Sequence, residues 1–75
     1  MPYVSIETFA GKSDEQKRCL IEEVTRAVTS SLGVPREAVW VVIKDVPKAS
    51  WGEAGRPCSE IYPDRPAASG GDSSG

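Results

Sequence analysis

One helix with clear start and stop signals, set between two strand-like segments, is the feature that most constrains the fold of this chain. The stretch Ser13-Asp14-Glu15-Gln16 is a capping box, in which the Ser13 hydroxyl accepts from the Gln16 amide and the Gln16 side chain reaches back to Ser13. Gly33 is a typical residue just beyond a helix end, because glycine adopts the left-handed conformation without strain. The sequence therefore predicts a helix that begins after Ser13 and ends at Gly33.

Two strand-like segments flank this helix. Residues 2–9 alternate along the chain, as in a strand with two different faces. Residues 39–43 are apolar on both faces, which is typical of a strand covered on both sides, and Pro47 ends this segment. The apolar stripe of the helix is made of Leu20, Ile21, Val24, Ala27, Val28 and Leu32. The order strand, helix, strand predicts two parallel strands joined by a right-handed crossover.

The chain is short for a subunit that must bury a core by itself. Of its 75 residues, 63–75 are rich in Pro, Gly and Ser, and we expect them to form a disordered tail. The remaining domain, residues 1–62, is small enough that oligomerisation is expected, with a partner subunit covering the apolar sheet face that the helix leaves open. The predicted fold class is α/β (α+β): one β-α-β unit with a parallel two-stranded sheet, followed by a hairpin near residues 51–55.

Composition argues against several classes of function. The net charge is −2 and no run of Lys or Arg occurs, so we expect no nucleic-acid partner. No apolar stretch is long enough to span a membrane, and the start does not resemble a signal peptide. The two cysteines, Cys19 and Cys58, are then expected to be reduced thiols of a cytoplasmic protein. With no His and no close Cys pair, we expect no metal site.

Pro2 is the candidate catalytic residue. If Met1 is removed, Pro2 becomes an N-terminal secondary amine, which no other genetically coded residue provides. An α-amino group has a reference pKa of about 7.7–8.0, and burial or a nearby cation would lower it. Such an amine is a neutral base near pH 7, suited to proton transfer.

Several motifs in this order resemble the tautomerase superfamily, and most closely its small 4-oxalocrotonate tautomerase group. They are a strand beginning at Pro2, residues 11–17 at the start of the helix, a second strand after Pro35, and Trp51-Gly52 followed by Gly55. The resemblance covers residues 2–62. It implies a hexamer of β-α-β subunits, arranged as a trimer of dimers, that needs no cofactor. It also implies that Pro2 is the general base that moves a proton between a dienol oxygen and carbon.

The resemblance also implies which residues bind the substrate. Lys12 stands where the family has a loop arginine, Trp40 where it has an arginine on the second strand, and Trp51 where it has an aromatic pocket residue. Lys12 has the positive charge of an arginine but lacks the guanidinium group that can bind a carboxylate through two hydrogen bonds. Trp40 has neither the charge nor this group. We therefore expect a substrate with one carboxylate and an apolar end near Trp40 and Trp51, more typical of specialised biosynthesis than of degradation. Arg36 is a second candidate cation for the pocket. The alternative interpretation is that Arg36 is a solvated charge on a loop.

The predicted function is the enol–keto conversion of a small unsaturated 2-hydroxy or 2-keto acid by a homo-hexamer. One alternative is the addition of water to an unsaturated acid by Pro2 and Glu53. Glu53 lies where the related trans-3-chloroacrylic acid dehalogenases carry a water-activating glutamate, although Phe9 stands where they carry an extra arginine. A solvent-exposed turn residue is the other interpretation of Glu53. A further alternative is a non-catalytic assembly module, which the two missing arginines favour and Pro2 does not.

Overall fold

The computed structural model describes residues 1–63 of the chain. The elements are, in order, β1 (Tyr3–Phe9), α1 (Asp14–Leu32), a 3-10 turn (Arg36–Ala38), β2 (Trp40–Val46), a second 3-10 turn (Lys48–Ser50), β3 (Gly52–Glu53), β4 (Arg56–Pro57) and α2 (Cys58–Ile61). The tail expected over residues 63–75 lies, apart from Pro63, outside the described residues.

The two long strands pair in parallel, so the predicted β-α-β unit is confirmed. Tyr3 lies opposite Trp40 at one end of the ladder, and Phe9 lies opposite Val46 at the other. β2 continues to Val46, three residues beyond the apolar run that predicted it. The predicted hairpin is also present, since β3 pairs with β4 in antiparallel fashion.

The ends of α1 follow from its sequence. The Gln16 amide donates to the Ser13 hydroxyl at 3.0 Å, and the Ser13 amide donates to the Gln16 side-chain oxygen at 2.8 Å. Gly33 has φ +70°, and its amide donates to the Thr29 carbonyl at 2.9 Å. The capping box and the left-handed Gly33 are therefore both confirmed.

An ion pair ties the start of α1 to the end of β2. The Lys17 ammonium lies 2.6 Å from Asp45 Oδ2. The hydrogen bond that the Lys17 ammonium donates to Asp45 raises the pKa of Lys17 above its ordinary 10.5, so the ammonium is charged at neutral pH. This contact holds the start of α1 against the carboxyl end of the sheet.

The helix covers one face of the sheet, but with a narrower stripe than predicted. Leu20, Val24 and Val28 are half-buried, whereas Ile21 and Leu32 are 39% and 63% exposed. The sheet residues that are half-buried on the helix side are Val4, Ile6, Thr8, Val41 and Ile43. Asp45, opposite Thr8, also lies on the helix side, and the alternate positions of β1 and β2 form the open face of the sheet.

The sequence predicted that the open face is apolar throughout. In the structure, only part of this face is apolar. Tyr3 and Trp40 are 58% and 59% exposed and lie opposite each other at its amino-terminal end. Towards the carboxyl end, Glu7 lies opposite Lys44, and both are exposed. The apolar half alone has the character of a surface that another subunit would cover.

Among residues 1–63, only Cys58 is fully buried. A chain with so small an interior gains little hydrophobic stabilisation by itself. The large exposed side chains therefore favour assembly.

We expect the protein to sediment as a multiple of its 8.0 kDa chain mass, most closely six chains, at micromolar concentration. Val42→Asp, on the open face, is expected to shift the protein towards smaller species, because it places a charge on a surface that assembly would desolvate. Glu22→Gln, on the exposed side of α1, is the control and should leave sedimentation unchanged. A stable folded monomer of the unmodified chain would contradict this expectation.

No helix within residues 1–63 is both long enough and apolar enough to cross a membrane.

Candidate active site

Pro2 is held at the edge of the sheet by β2. Its carbonyl accepts a hydrogen bond from the Trp40 amide at 3.0 Å, and the residue is half-buried. Met1, before it, is 84% exposed. Because the strands are parallel, Pro2 and Trp40 lie together at the amino-terminal end of the sheet. Tyr3 joins them through its register with Trp40, a role that the sequence alone does not assign.

An aromatic cluster lies at the opposite end of β1. The rings of Phe9 and Trp51 meet edge to face with their centroids 4.8 Å apart, and the Tyr62 ring lies 6.3 Å from that of Phe9. The Lys48 ammonium lies over the Phe9 ring, 5.6 Å from its centroid. We call Phe9, Trp51 and Tyr62 the aromatic cluster. Of these, the sequence predicts a site role only for Trp51.

Glu53 is bound by the aromatic cluster. The Tyr62 hydroxyl donates to Glu53 Oε1 at 3.1 Å. This hydrogen bond raises the pKa of Tyr62 above its ordinary 10.0, so the hydroxyl remains a donor at neutral pH. Although the Glu53 side chain is exposed, it therefore has a defined partner.

The segment that carries Tyr62 is fixed to the hairpin by backbone contacts. The Cys58 amide donates to the Trp51 carbonyl at 2.7 Å, and the Tyr62 amide donates to the Cys58 carbonyl at 2.8 Å. The Lys48 ammonium donates to the Tyr62 carbonyl at 2.8 Å. The turn between β3 and β4 has Ala54 and Gly55 at φ 54° and 81°, as in a tight hairpin of the primed type. These contacts hold the segment with Tyr62 against the hairpin that carries Glu53.

The two candidate cations lie in different surroundings. Lys12 is half-buried in the loop after β1, three residues beyond Phe9. Arg36 is exposed and lines a shallow cavity of about 310 Å³ with Glu22, Arg26 and Thr29. The structure thus groups Arg36 with α1, and its role in a substrate pocket stays a prediction.

Apart from Arg36, the candidate residues form two separate groups within one chain. Pro2 and Trp40 lie where β1 begins, and the aromatic cluster lies where β1 ends. The seven residues of β1 span roughly 20 Å, at ~3.3 Å per residue. A small substrate that touches Pro2 in one chain is therefore out of reach of Trp51 and Glu53 in the same chain.

The parallel β-α-β subunit, with Pro2 directly before its first strand, agrees with the fold of the small tautomerases that the sequence resembles. A family model described as tautomerase enzyme matches residues 2–60, and this chain belongs to the tautomerase family.

Individual relatives agree with this assignment. The chain is 46% identical over 61 residues to the 2-hydroxymuconate tautomerase of Comamonas testosteroni, a match that covers 81% of this chain and 97% of the relative. Its fold is similar to that of TomN, a 4-oxalocrotonate tautomerase homologue in the tomaymycin biosynthetic pathway (TM-score 0.80, 30% identity, 84% and 97% of the two chains). It is also similar to a heterohexamer 4-oxalocrotonate tautomerase from Chloroflexus aurantiacus (TM-score 0.78, 29% identity, 83% and 100%).

The family resemblance seen in the sequence is thus confirmed, and with it the class of enzyme, a tautomerase of the 4-oxalocrotonate type. The hypothesis of a non-catalytic assembly module is correspondingly disfavoured.

Proposed function

We propose that this chain catalyses the enol–keto conversion of a small unsaturated 2-hydroxy acid, with the Pro2 amine as general base after removal of Met1. The observation that carries the proposal is the hydrogen bond from the Trp40 amide to the Pro2 carbonyl, which holds a half-buried Pro2 at the sheet edge. A terminal amine held in this way has a fixed position from which to transfer a proton, which general acid–base catalysis requires.

The proposed reaction moves one proton and needs no cofactor. The Pro2 nitrogen takes the proton from the 2-hydroxyl of the enol, and the electron pair of the broken O–H bond forms the carbonyl. The adjacent C=C electrons shift to a carbon atom, which takes the proton back from the Pro2 ammonium. Pro2 is therefore base and then acid within one turnover, and it is regenerated as the neutral amine.

We further propose that a second copy of the chain completes the site. The aromatic cluster and Lys12 of one copy would then lie near Pro2 and Trp40 of another, since roughly 20 Å of β1 separates these groups within a chain. The Chloroflexus relative is a heterohexamer, which supports an assembly of six subunits. We propose a homo-hexamer, because this chain carries both groups of residues.

The proposed substrate carries one carboxylate, bound by Lys12, and an apolar end that packs near Trp40 and Trp51. Trp40 is 59% exposed beside Pro2, so its indole is available for such packing. The similarity to TomN, a homologue in a biosynthetic pathway, supports a substrate of specialised biosynthesis. The 2-hydroxymuconate tautomerases among the relatives support the same proton transfer on a related enol.

Addition of water to an unsaturated acid by Pro2 and Glu53 is the second candidate function. The contact of Glu53 with the Tyr62 hydroxyl favours it, because a water-activating carboxylate must be oriented. Phe9 weighs against this function, because it stands where the related dehalogenases carry an arginine. Its apolar ring packs on Trp51 and supplies no cation.

The intact mass of the purified protein tests the central requirement of the proposal. We expect a chain lighter than the full sequence by one methionine residue, because the exposed Met1 is accessible to removal. A preparation that retains Met1 should be inactive, since its Pro2 nitrogen is an amide without basicity. Full tautomerase activity in a chain that retains Met1 would refute the mechanism.

A further inference from the structure

The Glu53 carboxylate is held beside the aromatic cluster. Trp51 has extended backbone angles and Glu53 follows it by two residues, so the two side chains leave the chain on the same side. Glu53 Oε1 accepts from the Tyr62 hydroxyl, and the Tyr62 ring lies 6.3 Å from that of Phe9. A negative charge therefore borders the aromatic surface.

The backbone of Tyr62 is held by hydrogen bonds at both its amide and its carbonyl. Its amide is bound to the Cys58 carbonyl, and its own carbonyl is bound to Lys48. Cys58 is 1% exposed, so the turn that carries Tyr62 has a buried anchor. These contacts fix the backbone at Tyr62, and the hydrogen bond from its hydroxyl orients the Glu53 carboxylate.

We propose that Glu53 is a specificity-determining residue that disfavours a second carboxylate at the far end of the substrate, and that Tyr62 is its positioning residue. This inference rests on the proposed function, in which the aromatic cluster borders the far end of the substrate. A like charge within several ångströms weakens binding, and Lys48 and Arg56 in the same segment reduce the repulsion. We therefore expect an effect of about tenfold rather than a hundredfold.

The test compares kcat/KM for a dicarboxylate enol, 2-hydroxymuconate, with kcat/KM for a monocarboxylate enol, phenylenolpyruvate. Glu53→Gln is expected to raise the ratio of dicarboxylate to monocarboxylate about tenfold. Tyr62→Phe, which keeps the ring but removes the hydroxyl, should raise it by a smaller factor. The control is Glu60→Gln, which removes an exposed carboxylate from α2 and should leave the ratio unchanged. High salt should raise the ratio in the unmodified protein but not in Glu53→Gln, because salt screens the repulsion.

The double variant Glu53→Gln/Tyr62→Phe separates positioning from an independent effect. If Tyr62 acts through Glu53, the double variant has the ratio of Glu53→Gln alone. If the ratio in the double variant changes by the product of the two single-variant factors, the role of Tyr62 is overturned. An unchanged ratio in Glu53→Gln, or an equal shift in Glu60→Gln, would overturn the role of Glu53.

Failure of the proposed function gives a different result. Activity that is unchanged on replacement of Pro2 refutes proton transfer by Pro2 and leaves the ratio as a test of Glu53. If neither enol is converted, equilibrium binding of phenylpyruvate and of 2-oxoadipate replaces the rate measurements. Glu53→Gln is then expected to tighten binding of 2-oxoadipate relative to phenylpyruvate. The inference would be overturned if the ratio of the two affinities is the same in Glu53→Gln and in the unmodified protein.

Discussion

Replacing Pro2 with Ala is expected to lower kcat/KM for phenylenolpyruvate about a hundredfold at pH 7. General acid–base catalysis contributes ~10²–10⁴-fold, and the primary amine of an N-terminal alanine retains part of this because it is still a base. The fold should persist, because the hydrogen bond between the Trp40 amide and the carbonyl of residue 2 involves only the backbone. The measurement is the ultraviolet decay of the enol, with circular dichroism on the same samples.

The matched control is Pro35→Ala, which changes the same residue type at an exposed position before the first 3-10 turn. It should leave kcat/KM within twofold of the unmodified protein. Intact masses must show that both variants have lost Met1, so that their amino termini are comparable. Equal activity of Pro2→Ala and the unmodified protein would refute Pro2 as the general base.

Trp40→Arg is expected to reverse the order of substrate preference. In the unmodified protein we expect kcat/KM for phenylenolpyruvate to match or exceed that for 2-hydroxymuconate. An arginine at this position supplies a charged hydrogen-bonding group for the second carboxylate, worth ~1.5–3 kcal/mol. Since ~1.4 kcal/mol is tenfold, kcat/KM for the dicarboxylate should rise by roughly one to two orders of magnitude. Trp40 is 59% exposed in the single chain, so the substitution displaces no core residue there.

Trp40→Leu is the control for this substitution, because it removes the indole without adding a charge. It should lower kcat/KM for the phenyl substrate and give no gain for the dicarboxylate. A strong preference of the unmodified protein for 2-hydroxymuconate would mean that Arg36 or a neighbouring subunit already supplies the cation. Our interpretation of Trp40 would then be wrong.

The parts of the fold that the sequence predicts are those with local signals. The bounds of α1 follow from the capping box at Ser13 and from Gly33, and both depend on contacts within a few residues. The carboxyl end of β2 at Val46 agrees with the stop expected at Pro47, although Lys44 and Asp45 break the apolar run while their backbone stays in the ladder. The helix α2 was not predicted, since its four residues are too few to show a period.

The candidate site is predictable only in part, because its contacts join residues that are distant in sequence. Pro2 and Trp51 are recognisable as single residues. The contact of Phe9 with Trp51 and that of Tyr62 with Glu53 depend on how the hairpin and α2 fold back, and no pattern in the chain indicates them. The expected apolar face was half wrong because it was inferred from residues 39–43 alone, whereas Glu7 of β1 and Lys44, just beyond that run, share this face and lie opposite each other.

The scarcity of buried side chains among residues 1–63, where Cys58 alone is fully enclosed, links the stability of this protein to its concentration. Side chains that are covered only after assembly stabilise the folded state by mass action, so the unfolding temperature should rise as the protein is concentrated. Dilution then weakens the folded state without any change of solvent or temperature. Rates measured at very low enzyme concentration would therefore report the fraction of assembled chains as well as the speed of proton transfer.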